Sequence, residues 1–496
     1  MSCLLLIKKD VFSISSYIRT DEKIKTSTKW FFSLGDIFSG GFFNIVNFFY
    51  AFFLTNVVGI SPFWAGAVFL VGNFLDALTD PGMGIITDNT RTKFGRRRPY
   101  IILGAPLVLL AFVMMWFPLS GGTELSRVVF YMFAFVLMNT VTTIVQVPYL
   151  SMAAELSTDY NERTSLTNVR MIVSVTSSII CAVVPMLIVG AHQDVRTGYI
   201  VMSIIFGLFF TLPLILVFLK VKERKQFSQG RKATFRDMFK PLKLRVFRRF
   251  MYIYLGAILA MDIVAMIFAY YMTYSLGRSG EIPFVLGTLL VSQVACVPLA
   301  SWFAKKTSKI KAIIVGNVGW AVCAAASFLL SSYSPGFAIY MLASVLGIFI
   351  GFTLIGYNSL FGDVTEVGEY YLGYRAEGSF YGIQQFVRKC CSAIANWLAL
   401  FLLGIAGFMS PIEVVEDGIT MLVSQPQTPI VLFTINAILG IVSIILLIPS
   451  TIHAALWKLT KGNHAKLIAY LDQKRSGVEI SEAEESEVKE ICDQLI

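Results

Sequence analysis

The chain has 496 residues, of which 56% are apolar and only 15% charged, with a formal net charge of +10. A mean hydropathy of +0.70 excludes a soluble globular protein. Lys and Arg gather in short turns between apolar runs, so the positive charge reports membrane topology and not a nucleic-acid face.

The first apolar run, Leu4 to Ile7, is too short for the core of a secretory signal. Residues 1–29 read as a cytoplasmic tail rich in lysine. Apolar stretches of roughly 20 residues, enough to cross the hydrocarbon layer, then recur. Helices are expected over 30–57, 62–88, 99–119, 126–154, 165–191 and 197–221. Six more are expected over 247–276, 282–305, 310–332, 336–362, 376–408 and 428–457.

Alternate loops carry the basic residues: Arg91 to Arg98, Arg163, Lys220 to Arg249, and Lys305 to Lys311. The opposite loops offer Arg127, Arg196 and Arg278, and the loop over 409–427 is acidic, with Glu413, Glu416 and Asp417. By the positive-inside rule both termini face the cytoplasm. A basic linker over 222–246 divides a six-helix unit over 30–221 from a second over 247–457. Repeated halves joined on one side are the organisation of secondary transporters. The expected fold is an all-α membrane protein, twelve transmembrane helices in two six-helix bundles. Residues 458–496 turn polar and, with a capping box from Ser481 to Glu484, read as a soluble cytoplasmic tail.

Ionisable residues inside spans are few, and each costs ~2.5–3.5 kcal/mol at the bilayer centre. Asp76 and Asp80 stand one turn apart on one helix face. A cation between them offsets their cost, with Thr79 and Thr143 as neutral oxygens. Such hard oxygens suit Na⁺, which both threonines favour here, while a carboxylate also binds a proton. Helix 1 adds Asp36 and Asn44, and helix 4 adds Gln146. Arg170 reads either as countercharge to Asp36 or Asp76 or as a planar fork for ligand hydroxyls. Lys389 reads as countercharge to Asp76 or Asp80, with Arg388 pointing ~100° away around the helix. Asp262 stands alone among apolar neighbours and suits a structural hydrogen bond. The seven cysteines show no metal-ligand spacing and read as packing residues. No metal, nucleophile or phosphate-loop motif falls in a span, so an enzyme is not expected.

Asp76-x-x-x-Asp80-Pro81-x-x-Gly84, then Asp88-Asn89-Thr90-Arg91 and Gly95-Arg96-x-Arg98-Pro99, resembles the glycoside–pentoside–hexuronide:cation symporters. The resemblance extends over residues 30–455, through Leu34-Gly35-Asp36, Gln146-Val147-Pro148-Tyr149, Gly362-Asp363 and Tyr381-Gly382-Ile383-Gln384 to Lys389. It implies a major facilitator fold with a cation held by Asp76, Asp80, Thr79 and Thr143. It places Arg170, Gln146, Gly40, Asn44, Lys389 and Gln384 around a sugar, and Asp36, Asp88, Arg96 and Asp363 in coupling or gating. Gly40 and Gln146 stand where the melibiose-carrying branch has sugar-binding carboxylates. That favours a different glycoside, a pentoside or an anionic hexuronide. The expected partners are a small sugar, the coupling cation (Na⁺ or H⁺) and membrane lipid, with no cofactor and no nucleic acid. The carrier is expected to work as a monomer in the plasma (inner) membrane. Amphipathic lipids carried by relatives of this family and a non-transporting sensor are the alternatives.

Overall fold

The apolar runs become helices whose ends follow local chemistry. A computed structural model describes residues 23–156, 159–223, 235–374, 377–416, 419–476 and 481–493. The first apolar run and the middle of the basic linker lie outside them. Among the described residues twelve helices are long and apolar enough to cross a membrane. In the first half they are α1 (Thr26–Asn56), α2 (Pro62–Asn89), α3 (Arg98–Trp116), α4 (Glu124–Glu155), α5 (Tyr160–Gly190) and α6 (Val195–Lys220). The second half has α7 (Arg245–Ser275), α8 (Ser279–Lys306), α9 (Lys309–Leu329), α10 (Gly336–Leu372), α11 (Glu377–Ile405) and α12 (Pro429–Ala455). The side chains of Thr123, Asp159, Asp194, Ser308 and Thr428 accept first-turn N–H groups at the starts of α4, α5, α6, α9 and α12.

Two features depart from the sequence expectation. Helix α10 runs to Leu372, ten residues beyond 362, and stops at Gly373 with φ +69°. Its added turns carry Asp363, Glu366 and Glu369, which look like the end of a span in sequence. They stay helical because Val364 and Val367 pack with Phe380 and Phe250, while Lys309, His464 and Arg475 pair with the carboxylates. The acidic loop before α12 contains an antiparallel hairpin, β1 (Ile412–Glu416) and β2 (Ile419–Val423), where no strand was expected.

The two halves meet at the face opposite the termini. Helices α1 and α7 each carry a π-helical stretch, Val46–Tyr50 and Tyr271–Ser275, beside this contact. Tyr270 Oη donates to the Ala51 carbonyl at 2.9 Å and lies 2.6 Å from Thr55 Oγ1, and Tyr274 Oη donates to Asn56 Oδ1. Gly66 of α2 lets Trp397 of α11 approach, as Gly287 of α8 does for Val183 of α5. Toward the termini from this clasp, the side chains of Asp80, Lys389 and Arg388 keep 30%, 24% and 34% of their surface accessible. All three are thus partly accessible beside the contact between α2 and α11.

The polar C-terminal residues form α13 (Lys461–Ser476) and α14 (Glu482–Asp493), which dock on α10. Leu467, Tyr470, Leu471, Val488, Ile491 and Cys492 bury in one cluster with Val364 and Phe380. Arg475 grips Glu369 through two hydrogen bonds of 3.0 and 2.6 Å. His464 Nε2 lies 2.5 Å from Glu366 and 3.4 Å from Asp363, whose Oδ1 also takes Lys309 Nζ at 2.6 Å. With the ammonium already on Asp363, the cluster is an ion-pair latch. The hydrogen bond to Glu366 holds the His464 imidazolium above its ordinary range. A raised pKa in the docked state means full docking strength below about 6.5, lost as pH rises through the docked value. Limited proteolysis after residue 460 should therefore accelerate as the pH rises above about 6.5. His464→Gln should flatten that dependence; an unchanged pH profile would remove His464 from the latch.

Candidate site at the interface of the two halves

Helical spacing brings Asp76 and Asp80 to the side of α2 that faces α4 and α11. Thr143 Oγ1 of α4 lies 2.8 Å from Asp76 Oδ1 and 2.9 Å from Asp80 Oδ1. From the other half, Lys389 Nζ lies 2.6 Å from Asp76 Oδ2 and 2.5 Å from Asp80 Oδ2. Two carboxylates against one ammonium leave one negative charge, and every carboxylate oxygen points at a shared partner. Asp76 is only 8% exposed, so that charge is poorly hydrated. A monovalent cation is the natural complement.

Thr79 does not join this cluster. It is exposed, and its hydroxyl turns back onto the Asp76 carbonyl at 3.2 Å. Of the two threonines, Thr143 is the one that bonds the carboxylates.

A second buried cluster lies among α1, α4 and α5. Arg170 Nε and Nη2 donate to the two oxygens of Asp36 at 2.7 and 2.9 Å, and Tyr149 Oη donates to Asp36 Oδ2 at 2.6 Å. Tyr149 stacks on Phe32 at 4.6 Å, and the guanidinium lies over both rings. Gly35 makes room: a Cβ there would fall 2.4 Å from the Tyr149 ring. Of the two sequence readings of Arg170, the geometry realises the tie to Asp36. The edge of the fork that would grip a ligand is already filled.

The remaining candidates scatter. Gly40 packs against α5, where a Cβ would sit 2.6 Å from the Ser174 carbonyl oxygen, so a side chain here points into a helix contact and not toward a ligand. Asn44 reaches the Ser178 carbonyl at 3.5 Å. Gln146 lies one turn from both Thr143 and Tyr149, between the two clusters, and its Nε2 is buried without a hydrogen-bond partner. Gln384 is buried on α11, one turn before Arg388. Asp363 belongs to the tail latch. The side chain of Asp88 lies outside the described residues.

Sequence reasoning missed what the basic turn grips. The backbone N–H groups of Arg96, Arg97 and Arg98 each donate to the Glu223 carboxylate at 2.7 Å. The carboxylate thus caps the positive end of α3. Gly95, at φ +115°, leaves space for it: a Cβ would lie 2.7 Å from that carboxyl carbon. Arg98 in turn covers the Phe218 ring at 4.7 Å and donates to its carbonyl, closing α6. A glutamate among lysines gave little signal on its own. Nor does Asp262 stand alone. Ser392 donates to its Oδ2 at 2.6 Å, and Arg388 Nη2 lies 3.9 Å from its Oδ1.

Twelve spans in two halves, clasped at one face around a buried charged site, define a secondary transporter of the major facilitator type. The family model described as MFS/sugar transport protein matches residues 31–452, and the chain belongs to that family of transporters, which are not enzymes. It is 24% identical to the sodium-dependent lysophosphatidylcholine symporter 1-B of Danio rerio, over 80% of this chain and 82% of that protein. It is equally 24% identical to the glucuronide carrier protein homolog of Escherichia coli (strain K12), over 90% of this chain and 95% of that one. Its fold is similar to that of the nucleoside transporter NupG, with a TM-score of 0.57 at 13% identity, covering 86% and 98% of the two chains.

Proposed function

We propose that this protein imports a glycoside, pentoside or hexuronide together with a cation, Na⁺ or H⁺, across the plasma membrane by alternating access. The observation that carries the reading is the Asp76–Asp80–Thr143 cluster held from the opposite half by Lys389. The ammonium occupies the oxygens that a coupling cation needs. Cation entry thus competes with the tie between α2 and α11, and so with the arrangement of the halves. Gln146, with its free buried amide, is the best-placed neutral ligand donor of the sequence candidates. In the first half Phe42, Phe112 and Phe210 meet edge to edge in the core. The lysophosphatidylcholine symporters are no less similar than the sugar carriers, so a lysolipid is the second reading.

The test is uptake of labelled glycosides, glucuronides and lysolipids into liposomes containing the purified protein, under imposed Na⁺ or H⁺ gradients at clamped membrane potential. Concentrative uptake of at least one sugar with one gradient is expected. Uptake of lysolipid alone would replace the sugar reading, and accumulation indifferent to both gradients would remove the coupling.

A further inference from the structure

The two halves carry the same trio on corresponding helices. In the first it is Asp36 of α1, Arg170 of α5 and Tyr149 of α4. In the second it is Asp262 of α7, Arg388 of α11 and Tyr357 of α10. Corresponding parts of repeated halves are expected to differ where one has acquired a task. The first trio is shut: a two-pronged ion pair at 2.7 and 2.9 Å, with Tyr149 sealing the carboxylate. The second is open. The nearest atoms of Arg388 and Asp262 are 3.9 Å apart, too far for a hydrogen bond. Asp262 Oδ1 has no hydrogen-bond partner. The Arg388 side chain keeps 34% of its surface accessible, against 18% for Arg170.

This guanidinium lies near the tyrosines Tyr254, Tyr357 and Tyr381. It is the immediate neighbour of Lys389. Planar donors not consumed by a protein carboxylate, partly accessible and flanked by phenol groups, match an oxyanion. Asp262 is near enough to make the burial of Arg388 bearable and too far to occupy its fork.

We infer that Arg388, and not Arg170, receives an anionic group of the transported solute, a carboxylate or a phosphate. The inference rests on the reading of the protein as a cation-coupled carrier and names the part of the solute it recognises. It also supplies a coupling route. A cation at Asp76 and Asp80 frees the Lys389 ammonium, leaving two positive side chains adjacent on α11. An anion is then bound more tightly, and by linkage the anion tightens the cation.

The experiment is calorimetric titration of the full-length protein in nanodiscs, with Na⁺ present, using two matched pairs. These are methyl glucuronide against methyl glucoside, and lysophosphatidylcholine against the monoacylglycerol of the same chain. Wild type should prefer the charged member of one pair. Arg388→Gln should cut that preference about tenfold or more, the loss expected for a charge-assisted bidentate contact. Arg388→Lys should restore part of it, and the melting curve of each variant reports whether it is folded. The pair that responds tells a carboxylate from a phosphate. A preference that survives Arg388→Gln, or disappears only with Arg170→Gln, overturns the assignment. If wild type prefers the neutral glycoside, this inference fails while cation-coupled sugar transport stands. If none of the four binds, this inference falls, and the uptake test above decides the proposed function.

Discussion

Asp76→Asn and Asp80→Asn are each expected to abolish accumulation against a gradient while leaving passive exchange measurable. The reason is charge balance. Two carboxylates and Lys389 leave one negative charge in the site; removing either carboxylate leaves none, because Lys389 neutralises the other. A cation entering the variant would surrender its hydration to a site with no net charge. Breaking such buried pairing costs about 3–5 kcal/mol, so apparent cation affinity should fall at least about a hundredfold. Thr143→Val should act in the same direction and more weakly, since its hydroxyl is neutral. Solute uptake into liposomes under Na⁺ and H⁺ gradients measures this. Full concentrative uptake by either asparagine variant would remove the pair from coupling.

The second large effect concerns stability. Asp36→Asn is expected to lower the unfolding free energy by about 3–5 kcal/mol, because it leaves the Arg170 guanidinium buried beside Tyr149 without a countercharge. Arg170→Gln in the same chain should recover a large part of that loss, since no uncompensated charge then remains. Thermal unfolding of the four proteins in detergent forms a double-mutant cycle. Additive losses would mean that the two residues do not act on each other, and Arg170 would be available to a ligand after all.

The twelve spans and the family were legible because they rest on composition and on local spacing. Asp76 and Asp80 lie four residues apart, so their shared face follows from helix geometry alone. The pairing of Lys389 with them was also readable, since few charges lie within spans. What failed required knowing which helix faces touch. Thr79 has the right chemistry, but its hydroxyl bonds its own helix, a choice that backbone proximity makes and sequence does not reveal. Gly40 aligns with a ligand carboxylate in the melibiose-carrying branch and here seats a helix crossing against Ser174. Arg388 was placed about 100° around the helix from Lys389, and the two meet different helices, α7 and α2. The partner of Arg388, Asp262, is 126 residues earlier, and nothing local links them. The extension of α10 was hidden for a related reason. Asp363, Glu366 and Glu369 look like the end of a span until the tail supplies His464 and Arg475.

Direct cation binding tests the central claim most closely. Purified protein in nanodiscs is equilibrated with labelled Na⁺ across a range of pH, with proton release recorded in the same samples. The account predicts one cation equivalent per wild-type chain, Na⁺ or proton. A chain carrying both Asp76→Asn and Asp80→Asn should bind neither at this site. Undiminished Na⁺ binding and proton exchange in that double variant would place the coupling cation elsewhere and contradict the account.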